Sequence, residues 1–442
     1  MKLFVKFLAS VILAVPVAVT SLASTTSAST YSVCASGCDF TSIQSAVDGA
    51  SSGDVISVGP GSYAENVIVP TSVTITGSGS QTIVFPASNG PTCQVSPGGT
   101  LCDGSSTVFL VRADDVTIQN LTIEGSNPSL SGGVTVGGVA INARNGIVDD
   151  YNSGVYNGLT VTNVTVRDIY HRGIYEASGG TGFNFSDNYV NNVQGSPESI
   201  GIFNFGGAGT IAGNTVISAN DAISANWSQG TVFRDNTILN SGSGIHTDNS
   251  GWSGSNDVIS GNTIVDCATD GYGIFTFADF SGVTVTGNNV HGCYVGLADY
   301  GSQVPGASTA FIGNVVSGKG ATTTDPTGTY GAYVTTDLLG YGFGDANATF
   351  ANNSITDFGT GLFVTETSST HASQLAGQAT VLATNNDITR NAVGAFGDVD
   401  TVVTATSVWW GCTSGPGTKN CDSAGGTVVF SPWMTHAVGR RA

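Results

Sequence analysis

Short runs of alternating apolar and polar residues recur along most of the chain, separated by Gly, Asn or Asp. In seven of them the apolar alternation leads into Asn, one further residue and then Val or Ile: TIAGNTVISAN, TVFRDNTILNS, DVISGNTIVDC, VTVTGNNVHGC, TAFIGNVVSGK, ATFANNSITDF and LATNNDITRNA. Asn188, in SDNYV, begins the same pattern one step earlier. The eight recurring residues are Asn188, Asn214, Asn236, Asn262, Asn288, Asn314, Asn353 and Asn386, and five of the seven steps between them are 22 or 26 residues. Alternation with a period of two predicts β-strands, and the regular spacing predicts a structural repeat.

A second apolar segment follows each Asn motif: GIYEA, GIFNF, AISAN, GIHTD, GIFTF, GLADY, GAYVT, GLFVT and GAFGD. Strands this short cannot bury a core alone, but stacked as coils each pairs with its equivalent one coil away. The pattern therefore predicts an all-β fold, a single-stranded parallel β-helix (solenoid) of about ten coils. We expect the recurring Asn to form an internal ladder of hydrogen-bonded amides. The alternative is that it only marks exposed turns.

The N-terminus reads as an export signal. MKLFVKF supplies two lysines, and the apolar run LASVILAVPVAVTSLA and small residues follow, which predicts a signal peptide over residues 1–28 and a secreted, extracellular protein. No later apolar stretch approaches the roughly 20 residues that cross a bilayer, so we expect no membrane insertion.

Eight cysteines in an exported chain indicate disulfides. The last expected pair lies 26 residues apart, and both members follow a repeat Asn by five residues, so they occupy equivalent places on adjacent coils. Stacked positions about 4.8 Å apart are within the Cα range that a disulfide accepts. No CxxC occurs and no histidine clusters with the thiols, so no metal site is expected. The expected pairs are Cys34–Cys38, Cys93–Cys102, Cys412–Cys421 and Cys267–Cys293.

The net charge of the protein limits which macromolecules it can bind. The formal net charge is −19, and losing Lys2 and Lys6 with the signal peptide would make it −21. Such a field repels phosphate backbones, so nucleic acid is excluded as a partner. A highly acidic polysaccharide is disfavoured as well unless calcium bridges it, and no other cofactor is expected.

The two ends of the chain carry a family resemblance. CDFTSIQSAVDGASSGDVISVGPGSYAENVIVPTSVTITGSG (38–79) and SVWWGCTSGPGTKNCDSAGGTVVFSPWM (407–434), together with the repeats between them, resemble right-handed parallel β-helix proteins of the pectin-lyase-like superfamily. The resemblance implies a right-handed β-helix with a short N-terminal capping helix over residues 30–405, and a C-terminal capping segment over residues 406–442. It identifies no subfamily, because this fold hosts many activities and the motifs of pectin methylesterases, polygalacturonases and mannuronan epimerases are absent.

The GI strands predict where a site lies. If the Ile points into the coil, the next residue and the third point outward, so one outer face carries many aromatic side chains. Rows of exposed rings suit stacking on sugars, although loops could equally fold over and bury them. The residues expected to position a substrate are Tyr175, Phe203, Trp227, Trp252, Phe275 and Tyr300.

His246 and Asp248 are the predicted catalytic residues on this face, about 6.6 Å apart along one strand. The alternative is a surface histidine and a turn aspartate. Glu176 and Asp299 are further catalytic candidates, although both fall on inward positions, where a carboxylate needs a partner. Arg172 is expected to be a solvated turn residue, and Asp221 a turn residue.

Together these features predict a secreted β-helix that binds a neutral or weakly charged polysaccharide or cell-wall glycan and cleaves it, as a hydrolase rather than a lyase. Catalysis itself stays open at this point. The alternative is a non-enzymatic adhesin, wall-binding module or scaffold.

Overall fold

A computed structural model describes residues 27–93, 99–249, 256–320, 329–337, 342–366 and 377–438. Trp252, predicted to stack on a sugar, lies outside these residues. Within them, almost all regular structure is strand, arranged in three long parallel sheets. A two-stranded antiparallel hairpin, Val134–Val136 with Val139–Ile141, projects from an early coil.

Sheet I has 15 strands: Thr30–Val33, Val55–Val58, Thr74–Thr76, Thr117–Gln119, Thr160–Thr162, Thr181–Ser186, Ala208–Ala212, Val232–Arg234, Asp257–Ser260, Gly282–Thr286, Ser308–Ile312, Ala346–Ala351, Ala379–Thr384, Val402–Thr404 and Val428–Val429. Sheet II has 12: Gly61–Ala64, Thr82–Phe85, Thr122–Glu124, Thr165–Ile169, Tyr189–Val193, Thr215–Ala219, Thr237–Leu239, Thr263–Val265, Asn289–His291, Val315–Ser317, Ser354–Thr356 and Asp387–Thr389. Sheet III has 13: Val67–Val69, Thr107–Val111, Asn145–Asp149, Arg172–Glu176, Ile200–Phe205, Asp221–Asn226, Ser243–Thr247, Tyr272–Thr276, Val295–Asp299, Tyr330–Thr335, Thr360–Thr365, Val393–Gly397 and Ala424–Gly426.

Each coil contributes one strand to each sheet, and equivalent strands of successive coils pair in parallel. The strand Ser243–Thr247, for example, pairs with Tyr272–Thr276 so that Ile245 lies beside Ile274. The predicted parallel β-helix is thus confirmed, but sheets of 12 to 15 strands exceed the expected ten or so coils. The additional coils lie before Asn188 and after Asn386, where the Asn motif is missing and the sequence repeat is harder to see.

The GI motif has a steric cause. Its apolar residue points into the coil and is fully buried, as Ile245 and Ile274 are. The preceding glycine packs against the next coil: a Cβ added at Gly244 would lie 2.2 Å from the carbonyl oxygen of Gly273. Any side chain there would separate the stacked strands, which explains why glycine fills this position in most coils.

The predicted Asn ladder is present. All eight repeat asparagines are buried, and each of the first seven donates from Nδ2 to Oδ1 of the next at 2.9–3.0 Å. The residue before each ladder Asn has a left-handed backbone, for instance Asp187 with φ 57° and Asp235 with φ 57°. Gly, Asp and Asn tolerate this conformation best, so the sequence pairs GN, DN and NN mark one recurrent turn.

Both ends of the helix are closed. The helix Ile43–Gly49 begins at the N-cap Ser42 and buries Ile43, Ala46 and Val47 over the first coil, as expected of an N-terminal cap. The 3-10 turn Gly79–Gln81 is the other helical element described. At the C-terminal end, the last strands of sheets I and III lie within the predicted capping segment and extend both sheets. No helix in the described residues is long and apolar enough to cross a membrane.

All four expected disulfides form, and no cysteine is left free. Cys267 and Cys293 lie on adjacent coils with their Cα atoms 4.6 Å apart, as the coil spacing predicted. Both are buried against the main core. This disulfide therefore fastens two turns of the solenoid to each other.

Candidate functional site

The outer face of sheet III carries an aromatic row along nine consecutive strands, from Arg172–Glu176 to Val393–Gly397. Its first ring group runs from Tyr175 to Trp227, with centroids 4.5 Å apart for Tyr175 and Phe203. Its second begins at His246, whose ring centroid lies 5.0 Å from that of Phe275, and ends at Phe396. The members of the row are Tyr175, Phe203, Phe205, Trp227, Tyr272, Phe275, Phe277, Tyr300, Tyr330, Tyr333, Phe363 and Phe396.

Exposure varies along the row, so neither of the two alternatives, exposed rings or buried rings, describes the whole face. Tyr175 and Phe203 are buried, because they stack on each other and pack against Val148 and Leu101. Tyr300 is buried at 3% exposure, with its hydroxyl 2.8 Å from that of Tyr272. By contrast Trp227 is 54% exposed, and Phe275 is half-buried. The accessible rings thus lie at Phe205, Trp227 and the rim of the second group.

His246 lies at the gap between the two ring groups. Its Nε2 is hydrogen-bonded to the Oγ of Ser224, the residue directly beside it on the preceding coil. Its Nδ1 lies 3.8 Å from Oδ2 of Asp221, the first residue of that same strand. Burial lowers the pKa of His246, and Asp221 opposes the shift. The histidine is therefore neutral at pH 7 and able to accept a proton.

Asp248 faces a different partner. Its Oδ1 accepts a hydrogen bond of 2.5 Å from the backbone N–H of Trp227, a residue held in the left-handed region with φ 56°. The two residues of the predicted catalytic pair therefore contact different groups. The carboxyl group nearest the His246 imidazole is that of Asp221, whereas Asp248 contacts the Trp227 backbone. Asp248 supports the turn that displays the most exposed ring of the row.

Glu176 lies inside the coil with no exposed surface, as its inward position predicted. The preceding coil pairs Val148 with Tyr175, so Asp149, the next residue, lies near Glu176 on that coil. Burial, together with the charge of Asp149, raises the pKa of Glu176, so this glutamic acid keeps its proton at neutral pH. The backbone N–H groups of Ser178 and Gly180 donate to its Oε1.

Asp299 is also fully buried inside the coil. It accepts a hydrogen bond of 3.0 Å from the hydroxyl of Thr276, and burial raises its pKa to about 7. Neither Asp299 nor Glu176 touches the outer face in this conformation. Their predicted catalytic roles stay predictions. A catalytic role would require each carboxyl group to reach the surface, and both are fully buried.

Two features were missed from sequence. Ser224 follows Ile223 in the segment AISAN and so was predicted to point outward, but no sequence motif marks it. Its contact with His246 is revealed only by the strand register that places the two residues side by side. Arg172 is a strand residue with 7% exposure, so the expectation of a solvated turn is wrong. Its guanidinium lies 4.8 Å above the ring of Phe203, where the ring face stabilises the cation.

A cleft of about 400 Å³ opens near the N-terminal end of the same face. It is lined by apolar residues such as Ile68 and Leu110 and by the ion pair of Arg112 with Asp150, whose atoms lie 2.7 Å apart. This cleft extends the outer face of sheet III beyond the aromatic row. No group of three or more metal-ligating side chains occurs in the described residues.

Comparison with known proteins agrees with the β-helix fold. Residues 145–316 match the family described as the right-handed beta helix region. The chain folds as a right-handed parallel β-helix. The β-helix that the sequence predicted is confirmed, and its subfamily is not resolved. No curated protein matches the sequence.

Three of the solved structures similar to this chain are enzymes, and each has low sequence identity to it. The A-module of a mannuronan C-5 epimerase from Azotobacter vinelandii is 14% identical and has a TM-score of 0.51, and the match covers 89% of this β-helix and 95% of that chain. An alginate lyase from Paenibacillus is 16% identical with a TM-score of 0.44, covering 73% and 95%. A DFA-IIIase mutant from Arthrobacter chlorophenolicus is 13% identical with a TM-score of 0.42, covering 85% and 89%. At these identities the likeness concerns the fold.

Proposed function

We propose that this β-helix is secreted, binds a polysaccharide along the aromatic row of sheet III and hydrolyses a bond of this ligand at His246. The observation that carries the proposal is the row itself, which follows nine strands and so measures about 40 Å at the spacing of stacked strands. Sugar rings present apolar C–H faces that stack on aromatic side chains, and a row of this length accommodates several of them. The four disulfides fit an oxidising compartment outside the cell.

The charge of the protein narrows the ligand. At −19, it repels a densely anionic chain, which favours a neutral or weakly charged glycan. The A-module of the mannuronan C-5 epimerase carries the same fold and is named for a polysaccharide, which supports a polysaccharide as the ligand. The preference for a neutral or weakly charged one rests on the net charge of this chain alone. Trp227 is the strongest single contact in the proposal, because its ring is the most exposed of the row.

The chemistry is assigned to His246 because a neutral imidazole and a half-buried carboxyl group, Asp221, interrupt the apolar row there. Hydrolysis at this point needs a group that accepts a proton, and the imidazole of His246 is such a group because burial lowers its pKa and keeps it unprotonated. Glu176 and Asp299 are not required, since both lie inside the coil.

The test measures binding and cleavage separately. Purified protein is titrated with a panel of neutral and weakly charged polysaccharides by calorimetry, and released reducing ends and released carboxylic acid are both measured after incubation. Trp227→Ala should weaken binding by about 3- to 10-fold, the typical contribution of one stacked ring. Tyr189→Ala is the matched control, because Tyr189 is 41% exposed but lies on sheet II.

His246→Ala should abolish cleavage while binding persists. Absence of binding to every polysaccharide would overturn the proposal. Binding without release of any product by the unmodified protein would instead identify a wall-binding module.

A further inference from the structure

Ser224, His246 and Asp221 form a linear arrangement on two neighbouring strands of sheet III. The hydroxyl of Ser224 contacts Nε2 of His246, and the carboxyl group of Asp221 lies 3.8 Å from Nδ1 on the opposite side of the same ring. Within the described residues, His246 Nδ1 is buried without a hydrogen-bond partner. Such an orphaned polar atom is rare in folded proteins and calls for a functional explanation.

We propose that Ser224, His246 and Asp221 are a nucleophile, base and orienting acid that hydrolyse an O-acyl ester carried by the polysaccharide. The identity of the acyl carrier rests on the proposed function, whereas the reactivity of Ser224 does not. Nucleophile and base within hydrogen-bond distance, with the base oriented by a third group, is the arrangement that defines acyl-transfer sites on unrelated folds.

The same geometry disfavours cleavage of a glycosidic bond at this position. Glycosidases place two carboxyl groups about 5–10 Å apart across the bond that breaks. The one carboxyl group paired with the His246 ring is Asp221. Asp248 is engaged with the backbone of Trp227, and Glu176 is enclosed in the coil. A hydroxyl and an imidazole in contact suit attack on a carbonyl carbon instead.

The reaction balances without a cofactor. The Ser224 oxygen forms a bond to the ester carbonyl carbon while His246 Nε2 takes the hydroxyl proton. The bond to the sugar oxygen then breaks, and that oxygen leaves with the proton held by His246. Water next attacks the acyl-serine, again giving its proton to His246, and releases the carboxylic acid together with free Ser224.

Neighbouring side chains complete the site. Asn226 lies two residues beyond Ser224 on the same outer face, and its Oδ1 accepts a hydrogen bond of 2.9 Å from the Ser224 hydroxyl. The hydroxyl group must therefore turn from Asn226 toward His246 Nε2 before Ser224 attacks the ester. Trp227 follows directly and is exposed, so a sugar ring stacked on it would carry its acyl group toward Ser224.

A purely structural hydrogen bond between Ser224 and His246 is the competing explanation. Ser224 has no exposed surface and His246 is 7% exposed, so the experiment must measure access as well as reactivity. A fluorophosphonate probe does both, because it modifies only a serine that is activated and reachable. Mass spectrometry of the labelled, intact protein locates the modified residue.

The experiment combines this labelling with hydrolysis of p-nitrophenyl acetate, a small ester that needs no glycan binding. We expect one label, on Ser224, and ester hydrolysis that Ser224→Ala reduces to background. Asp221→Asn should lower the rate by about 10²- to 10⁴-fold while the fold, checked by circular dichroism, is unchanged. Ser243→Ala is the matched control, because Ser243 lies beside Asp221 on the next strand and should leave both readouts intact.

The outcomes separate the two proposals. Absence of labelling at Ser224, or equal hydrolysis by Ser224→Ala, overturns the triad even if polysaccharide binding is found. Labelling of Ser224 with no binding to any polysaccharide supports the triad and overturns the proposed ligand. Release of acetate from an acetylated glycan, lost in Ser224→Ala, supports both.

Discussion

The side-chain amide of Asn236 donates from Nδ2 to Oδ1 of Asn262 at 2.9 Å, and Asn262 donates in turn to Asn288. Each inner member of the ladder thereby forms side-chain hydrogen bonds with the asparagines of both neighbouring coils. Because the same oxygen of Asn262 also accepts from the backbone N–H of Asn236, one substitution removes the partner of several buried groups at once.

Asn262→Ala should therefore lower the free energy of unfolding by about 3 kcal/mol, the cost of leaving one or two buried polar groups unsatisfied. The measurement is chemical denaturation followed by circular dichroism. Asn289→Ala is the matched control: it removes an exposed asparagine on the next coil and should change stability by less than about 0.5 kcal/mol. Equal effects of the two substitutions would show that the ladder contributes little.

The disulfide between Cys267 and Cys293 should stabilise the fold more than the one between Cys34 and Cys38. It closes a segment of 26 residues rather than 4, and loop-closure entropy grows with segment length. Replacing Cys267 and Cys293 by Ala should lower stability by about 3.5 kcal/mol, against about 2 kcal/mol for the other pair. Thermal unfolding of the two double variants provides the comparison, and a larger loss from the short pair would contradict this account.

The repeat explains why the fold was predictable. Period-two alternation, the GI motif and the fixed Asn offset each arise from contacts between identical positions of neighbouring coils, so one coil predicts the next. The stacked position of Cys267 and Cys293 follows from the same translation. The number of coils was underestimated because the terminal coils satisfy their turns without the ladder asparagine.

The site was less predictable, because its contacts join coils through side-chain orientation. The alternation along the strand placed His246 and Asp248 on one outward face. In the structure the Asp248 carboxyl group contacts the Trp227 backbone, and Asp221 is the acid nearest the imidazole. Inward carboxyl groups were recognised as needing partners, yet that Asp149 lies near Glu176 follows only from how the two strands are placed, with Val148 beside Tyr175. Burial of the rings likewise depends on how adjacent side chains stack.

The buried carboxyl group of Asp299 should make stability depend on pH. The folded protein keeps this proton until about pH 7, whereas the unfolded chain releases it near the ordinary value of 3.8. The unfolded state therefore binds fewer protons over this interval, and the free energy of unfolding falls as the pH rises from about 4 to about 7. Each unit of pKa difference corresponds to roughly 1.4 kcal/mol.

Asp299→Asn removes the charge and should flatten the decline in melting temperature between pH 4 and pH 7. Asp270→Asn, at an exposed position, should leave the profile of the unmodified protein unchanged. Burial raises the pKa of Glu176 from 4.5 to about 9, so Glu176 lowers stability in the same direction from about pH 4.5 to about pH 9. A residual slope is therefore expected for Asp299→Asn both below and above neutrality. Parallel profiles for Asp299→Asn and the unmodified protein would mean that Asp299 is already ionised in the folded state.

Asp248 offers a way to distinguish support of the binding surface from catalysis. Its Oδ1 accepts from the N–H of Trp227, and an asparagine retains an oxygen that can do the same. Asp248→Asn should therefore keep both polysaccharide binding and turnover near the level of the unmodified protein. Asp248→Ala loses the acceptor, so the Trp227 turn loosens and binding should weaken by about 3- to 10-fold, as for loss of the ring itself. Loss of turnover in Asp248→Asn with unaltered binding would instead show that the carboxylate takes part in the reaction, and would move the orienting acid from Asp221 to Asp248.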